Sequence, residues 1–151
     1  MEINGLPLHA LAVHAAVVLA PLSTLAGLAY AVPRFREWVR WPLVVVALLA
    51  GVAIWVAYFS GEDLLEHNQF FNQGDVHELV EKHEDRAAVL RIIMTAFAVV
   101  TIAAAVWLHS RSGAVRWALA GLVVAGAVLT GVWTVLTGDA GAQIAWQGVQ
   151  G

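Results

Sequence analysis

Four long apolar stretches govern what this chain can become. They run Leu8–Val32, Leu43–Phe59, Ala87–Leu108 and Val115–Leu136. Each comes close to the roughly 20 residues that a helix needs to cross a hydrocarbon core about 30 Å thick. None alternates apolar and polar residues with period 2, so helices are expected and barrel strands are not. Composition agrees. Of the 151 residues, 60% are hydrophobic and 13% charged, against about 45–50% and about 25% in a soluble domain. A soluble globule this small could not bury so much apolar surface, and a disordered chain would be polar and highly charged instead. The expected fold is all-α: one integral-membrane domain over residues 1–151, an up-down four-helix transmembrane bundle in contact with the lipid bilayer.

Charge sets the expected orientation. The turns after the first and third stretches hold Arg34, Arg36, Arg40, Arg111 and Arg116 against the single acid Glu37. The opposite side holds Lys82, Arg86 and Arg91 against ten acids. Short loops rich in Lys and Arg stay in the cytoplasm. Both termini and the polar loop 60–86 are therefore expected outside, across a bacterial inner membrane. Trp38, Trp41, Trp107 and Trp117 fall near the cytoplasmic interface, and Tyr58, Trp133 and Trp146 near the outer one, as an aromatic belt requires. Met1–Asn4 has no positive charge and the apolar run behind it is too long for a signal h-region, so no cleaved signal is expected. The net charge of −3 gives no reason to expect nucleic acid. With no Cys, disulfides, thiolate metal sites, iron–sulfur clusters and covalent haem are excluded.

Helix ends are expected at glycines. Ser60-Gly61-Glu62-Asp63 reads as the stop of the second helix and Thr137-Gly138-Asp139-Ala140-Gly141 as the stop of the fourth. Asp63–Phe71 reads as a short interfacial helix with its leucines and phenylalanines towards lipid. Asp75 and Glu78 have capping-box spacing after Gly74. The third helix is expected from about Val76 to about His109, its first ten or so residues standing above the membrane. Pro21 is expected to kink the first helix. Gly121, Gly126 and Gly131 read as close-packing positions.

The histidines are not scattered. Five of the six, His9, His14, His67, His77 and His83, belong to the outer side. His14 lies about 9 Å below the outer edge of the first stretch, and an ionisable group at that depth faces a bundle interior with a partner. His83 shares the apolar line Val76, Leu79, Val80, Ala87, Leu90, so it points with the buried face. Glu62 and Asp139 reach the same level from the second and fourth helices. Imidazole with carboxylate suits zinc, copper or iron, which makes His9, His14, Glu62, His83 and Asp139 candidate metal ligands. His9 and His14 are five apart, about 140° around a helix, so one regular helix cannot aim both at a single ion. Two imidazoles from facing helices equally suit the axial positions of haem b. In that case His14 and His83 would hold the iron, and Arg86 and Arg91 would meet the propionates. Spacing leaves haem b and a transition-metal ion both open. His109 sits near a helix end by the cytoplasm, where a polar residue is favoured, and is given no role.

The order Gly5-Leu6-Pro7-Leu8-His9, Val13-His14, Ser60-Gly61-Glu62, Glu81-Lys82-His83-Glu84, Gly138-Asp139-Ala140-Gly141 resembles a bacterial family of short four-helix membrane proteins of unknown function that open with an LPLHPxxVH-like motif. The resemblance covers nearly the whole chain. In that family the domain also occurs joined to Rieske-type or c-type cytochrome domains, which implies a redox setting and a cytochrome or Rieske partner. Carried over, His9, His14 and His83 match the family's histidines. Ala10 departs from the usual Pro, and Asp139 stands where the family often has His.

The expected function is electron transfer by a small membrane subunit whose outer-side site binds haem b or a metal ion. The alternative is a non-catalytic accessory subunit of a larger redox complex. Metal or ion transport is disfavoured, because no acid or base lies at mid-membrane in the last three helices apart from Arg91 near the outer end. No nucleophile–base pair argues for an enzyme.

Overall fold

The computed structural model describes residues 2, 3, 5–67, 71, 74–107, 109, 110 and 112–150; of these, the side chains of 2, 3, 75, 107 and 148–150 stay outside the description. The Asp75 cap and Arg111 fall outside it. The chain opens with two short antiparallel strands, β1 (Glu2–Ile3) and β2 (Leu6–Pro7), Glu2 opposite Pro7. They reverse through Gly5, whose φ of +76° is open to glycine at little cost. Four helices follow: α1 (Leu8–Ala31), α2 (Arg36–His67), α3 (Gly74–Ile102, continued by a π-helical turn at Ala103–Trp107) and α4 (Gly113–Gln150). All four are long and apolar enough to cross a membrane. α1 packs on α2 and α4, and so does α3, which leaves α1 and α3 on one diagonal of the bundle.

The helices cover the expected spans as far as Ala31 in the first and Trp107 in the third, Val32 being the extended residue after α1, and three helices outrun their spans. α2 starts at Arg36 and carries Pro42 in its second turn, where the ring removes a single ladder bond. It then passes through Gly61 to His67. Asp63–His67 is thus the last part of α2 and no separate interfacial helix; residues 68–70 of that expected element lie outside the description. α4 passes through Gly138 and Gly141 to Gln150. None of the three glycines takes the left-handed conformation that a glycine stop requires. Instead Gly61 and Gly141 each lie under a histidine ring, as described below. Pro21 lies inside an unbroken α1. Trp38, Trp41, Trp117 and Trp146 are all well exposed, as side chains at a membrane interface are.

In lipid, close packing and interhelical hydrogen bonds hold helices together, and the middle of this bundle has both. Phe97 of α3 is buried between Gly27 of α1 and Gly126 of α4. A Cβ added at Gly126 would come within 2.7 Å of the Phe97 ring, and one at Gly27 within 3.0 Å. Met94, Leu43, Ala20, Val123 and Ala127 complete the layer. Beside it the Thr24 hydroxyl donates to the Ala127 carbonyl at 3.2 Å, linking α1 to α4. Gly126 and Gly131 thus act as packing positions, Gly131 against Thr24.

The end bearing the arginine-rich turns is tied by hydrogen bonds. The Arg36 Nε donates to the Tyr30 carbonyl at 3.2 Å, and its side chain is buried. The π turn widens α3 just where the other helices reach it. There the Arg40 Nε donates to the Ala105 carbonyl at 2.8 Å and the Tyr30 hydroxyl to the Ala104 carbonyl at 3.4 Å. His109 meets the Glu37 carboxylate at 2.6 Å.

Candidate functional site

The other half of the bundle is hollow. A cavity of about 590 Å³ extends from Ala20, Ile54 and Leu90 up to Leu65, Phe71 and Ala145, and all four helices line it. Its walls are mainly Ala, Val, Leu and Ile. Leu64, Leu65 and Phe71, expected to face lipid, line it too. Protein interiors rarely leave voids larger than a few waters. The size falls within the roughly 300–1,000 Å³ of pockets that hold cofactors and other small ligands.

Three imidazoles line this cavity: His9 and His14 of α1 and His83 of α3. Each has its Nδ1 on a backbone carbonyl. His9 donates to Ala57 of α2 at 2.8 Å, His14 to Ala10 one turn earlier at 2.6 Å, and His83 to Thr137 of α4 at 3.0 Å. A carbonyl only accepts, so Nδ1 carries the proton in all three rings. In the neutral ring Nε2 then holds the lone pair. This is the arrangement in which a carbonyl orients a histidine for ligation through its other nitrogen.

His9 and His83 occupy matching seats. His9 bonds the carbonyl of Ala57, and its ring lies over Gly61, four residues on. His83 bonds the carbonyl of Thr137, and its ring lies over Gly141, again four residues on. A Cβ added at either glycine would stand 3.1 Å from the ring's Cε1. Positions four apart share one helix face, so each partner helix offers an acceptor and a gap side by side. The two rings line the same cavity from diagonal helices. Near them the Thr137 hydroxyl is buried with no hydrogen-bond partner among the described residues.

The expected site residues divide. His9, His14, Glu62 and His83 share the cavity, joined by Tyr58 and Glu84. Asp139, Arg86 and Arg91 do not line it. Asp139 is exposed, accepts from Gln143 at 3.0 Å and pairs with Arg86 at 3.6 Å. Arg86 also donates to the Leu136 carbonyl at 2.6 Å. Arg91 lies against Tyr58 and Trp55 on the α2–α3 side. His67 is exposed and bonds Asp63 in its own helix, and His77 is exposed. Among the described residues no three His, Asp or Glu side chains converge as a metal site would require.

The seats themselves, Ala57 with Gly61 and Thr137 with Gly141, do not stand out in the sequence. Their signal is a small residue four positions after an acceptor on a helix facing a histidine, visible only once the helices are paired.

A family model described as "Predicted membrane protein (DUF2231)" matches residues 5–151. No curated protein and no solved structure matches the chain.

Proposed function

The chain belongs to this family of predicted membrane proteins, and from that premise we propose that it is a small redox subunit holding haem b in its hollow half for electron transfer. The observation that carries this reading is the pair of matching seats: two imidazoles with protonated Nδ1, on diagonal helices, beside one large apolar cavity.

The donor set favours a macrocycle over a bare ion. An ion needs three or more converging ligands, whereas haem iron takes one or two axial imidazoles and the apolar walls take the ring. His9 and His83 would hold the iron in this reading. Bound there, haem would supply one-electron chemistry. The protein's own part is to fix the tautomer and angle of both rings, keep water from the ring faces with Val13, Ile54 and Leu90, and leave the outer mouth beside Leu65, Phe71 and Ala145 for the propionates. Arg86, bound to Asp139 and Leu136, is not available for them. In this reading the mouth opens outside a bacterial inner membrane, with both termini on that side and an outer cytochrome or Rieske protein as exchange partner; the Lys and Arg asymmetry supports the orientation.

An accessory subunit without a cofactor is the second reading. It is favoured by the same three hydrogen bonds, since each imidazole already has a structural partner.

Haem titration of the purified protein in detergent separates the two. Stoichiometric binding with a low-spin bis-imidazole spectrum is expected. His83→Ala and His9→Ala should each lose the low-spin signature, while His14→Ala keeps it. Absence of a saturable Soret shift in the folded protein, or an unchanged spectrum in both seat variants, would overturn the proposal.

A further inference from the structure

A second site lies outside the cavity, on the seam between α2 and α3. Arg91 stands four residues inside the apolar stretch of α3, about 6 Å along the helix from Ala87. A cation at such a position is costly unless it is partnered. Its guanidinium carbon lies 3.9 Å from the centre of the Tyr58 ring and 5.0 Å from that of Trp55. The Trp55 indole is itself fixed by a 3.0 Å hydrogen bond to the Thr95 hydroxyl, which donates in turn to the Arg91 carbonyl.

The rings hold the guanidinium, but they do not use its donors. Among the described residues no carboxylate lies within ion-pair distance of Arg91 and no acceptor takes any of its five N–H groups. Its Nε is buried with no partner. Arg86, just over one turn above, by contrast pairs with Asp139 and donates to the Leu136 carbonyl. Phe59, Ile92 and Thr95 around the seam are exposed, so this face of the bundle meets lipid. A planar fork of donors, stacked on aromatic rings at the edge of an apolar span, matches a phosphodiester, which guanidinium binds with two parallel hydrogen bonds.

We propose that Arg91, seated on Tyr58 and Trp55, binds the phosphate of an anionic phospholipid at the α2–α3 seam. The lipid supplies an ion-pair partner where none of the described residues does, and its acyl chains lie against Phe59 and Ile92. This inference does not depend on haem in the cavity.

Thermal unfolding in nanodiscs tests it. The wild type is measured in phosphatidylcholine alone and in phosphatidylcholine with one quarter phosphatidylglycerol, and in detergent with and without inorganic phosphate. Phosphatidylglycerol should raise the wild-type midpoint by several degrees and leave Arg91→Gln unmoved. Arg91→Lys should recover only part of the shift, because an ammonium lacks the planar fork. Arg116→Gln, an exposed base at the other end of the bundle, should keep the whole shift. Equal shifts in wild type and Arg91→Gln would overturn the proposal. So would a shift with inorganic phosphate that equals that of the lipid. Should Arg91→Gln fail to fold, native mass spectrometry of the wild type decides: one retained phosphatidylglycerol supports the site, and none overturns it.

Discussion

Gly141→Ala places a methyl group 3.1 Å from Cε1 and 3.4 Å from Nδ1 of His83. The methyl belongs to a rigid helix, so the ring must move by a few tenths of an ångström. That stretches its 3.0 Å bond to the Thr137 carbonyl. Such a bond contributes about 0.5–1.5 kcal/mol, and alanine improves the helix by about 0.8–1 kcal/mol over glycine. The two effects nearly cancel in the empty protein, whose unfolding midpoint should hardly change. Ligation depends on the ring's position alone. Losing 0.5–1.5 kcal/mol there means about two- to twelve-fold weaker haem binding. Gly61→Ala should do the same at His9. Gly51→Ala, where an added Cβ meets nothing within 4 Å, should leave binding alone. The assay is a haem titration followed by absorbance, paired with thermal unfolding followed by circular dichroism. Wild-type affinity in both seat variants would refute the idea that these glycines set the imidazoles. A large loss of stability without loss of affinity would refute it equally.

Two further predictions concern the scaffold. Gly126→Ala would bring a Cβ within 2.7 Å of buried Phe97, and overpacking of this kind costs about 1–3 kcal/mol; reversible unfolding in mixed micelles should register that loss, with haem affinity per folded molecule unchanged. The Thr101 hydroxyl is buried with no hydrogen-bond partner among the described residues. Thr101→Val, which keeps the shape and removes the polar atom, should therefore leave the unfolding free energy equal or higher in the same assay.

Hydropathy made the four spans legible because about 20 apolar residues have one stable arrangement in lipid. The same pattern could not give the helix ends. Gly61, Gly138 and Gly141 look like stops beside carboxylates, yet the ladder runs through all three. A glycine that ends a helix and a glycine that admits a neighbour's ring are the same letter, and only the partner helix distinguishes them. Depth brought out His14, and the apolar line of α3 brought out His83. His9 is less legible, because a regular helix turns it away from His14. What brings it into the same cavity is the Ala57 carbonyl and the gap at Gly61, both on another helix. Arg86 and Asp139 do stand at one level, but they meet each other on the outer surface.

The hydrogen bonds around the π turn of α3 bear on how the hollow half can be filled. Arg36, Arg40 and Tyr30 fasten the ends of α1, α2 and α3 together, and the Phe97 layer clamps the middle. Helices so anchored would spread at their opposite ends, between the α1–α2 and α3–α4 pairs that His9 and His83 tie, as the tines of a fork do. A flat guest would enter from the mouth, and the work of opening would be confined to the few turns that carry His9 and His83. Loading should then leave the arginine end still, and backbone amide exchange near Ala105 should not register whether the chamber is full.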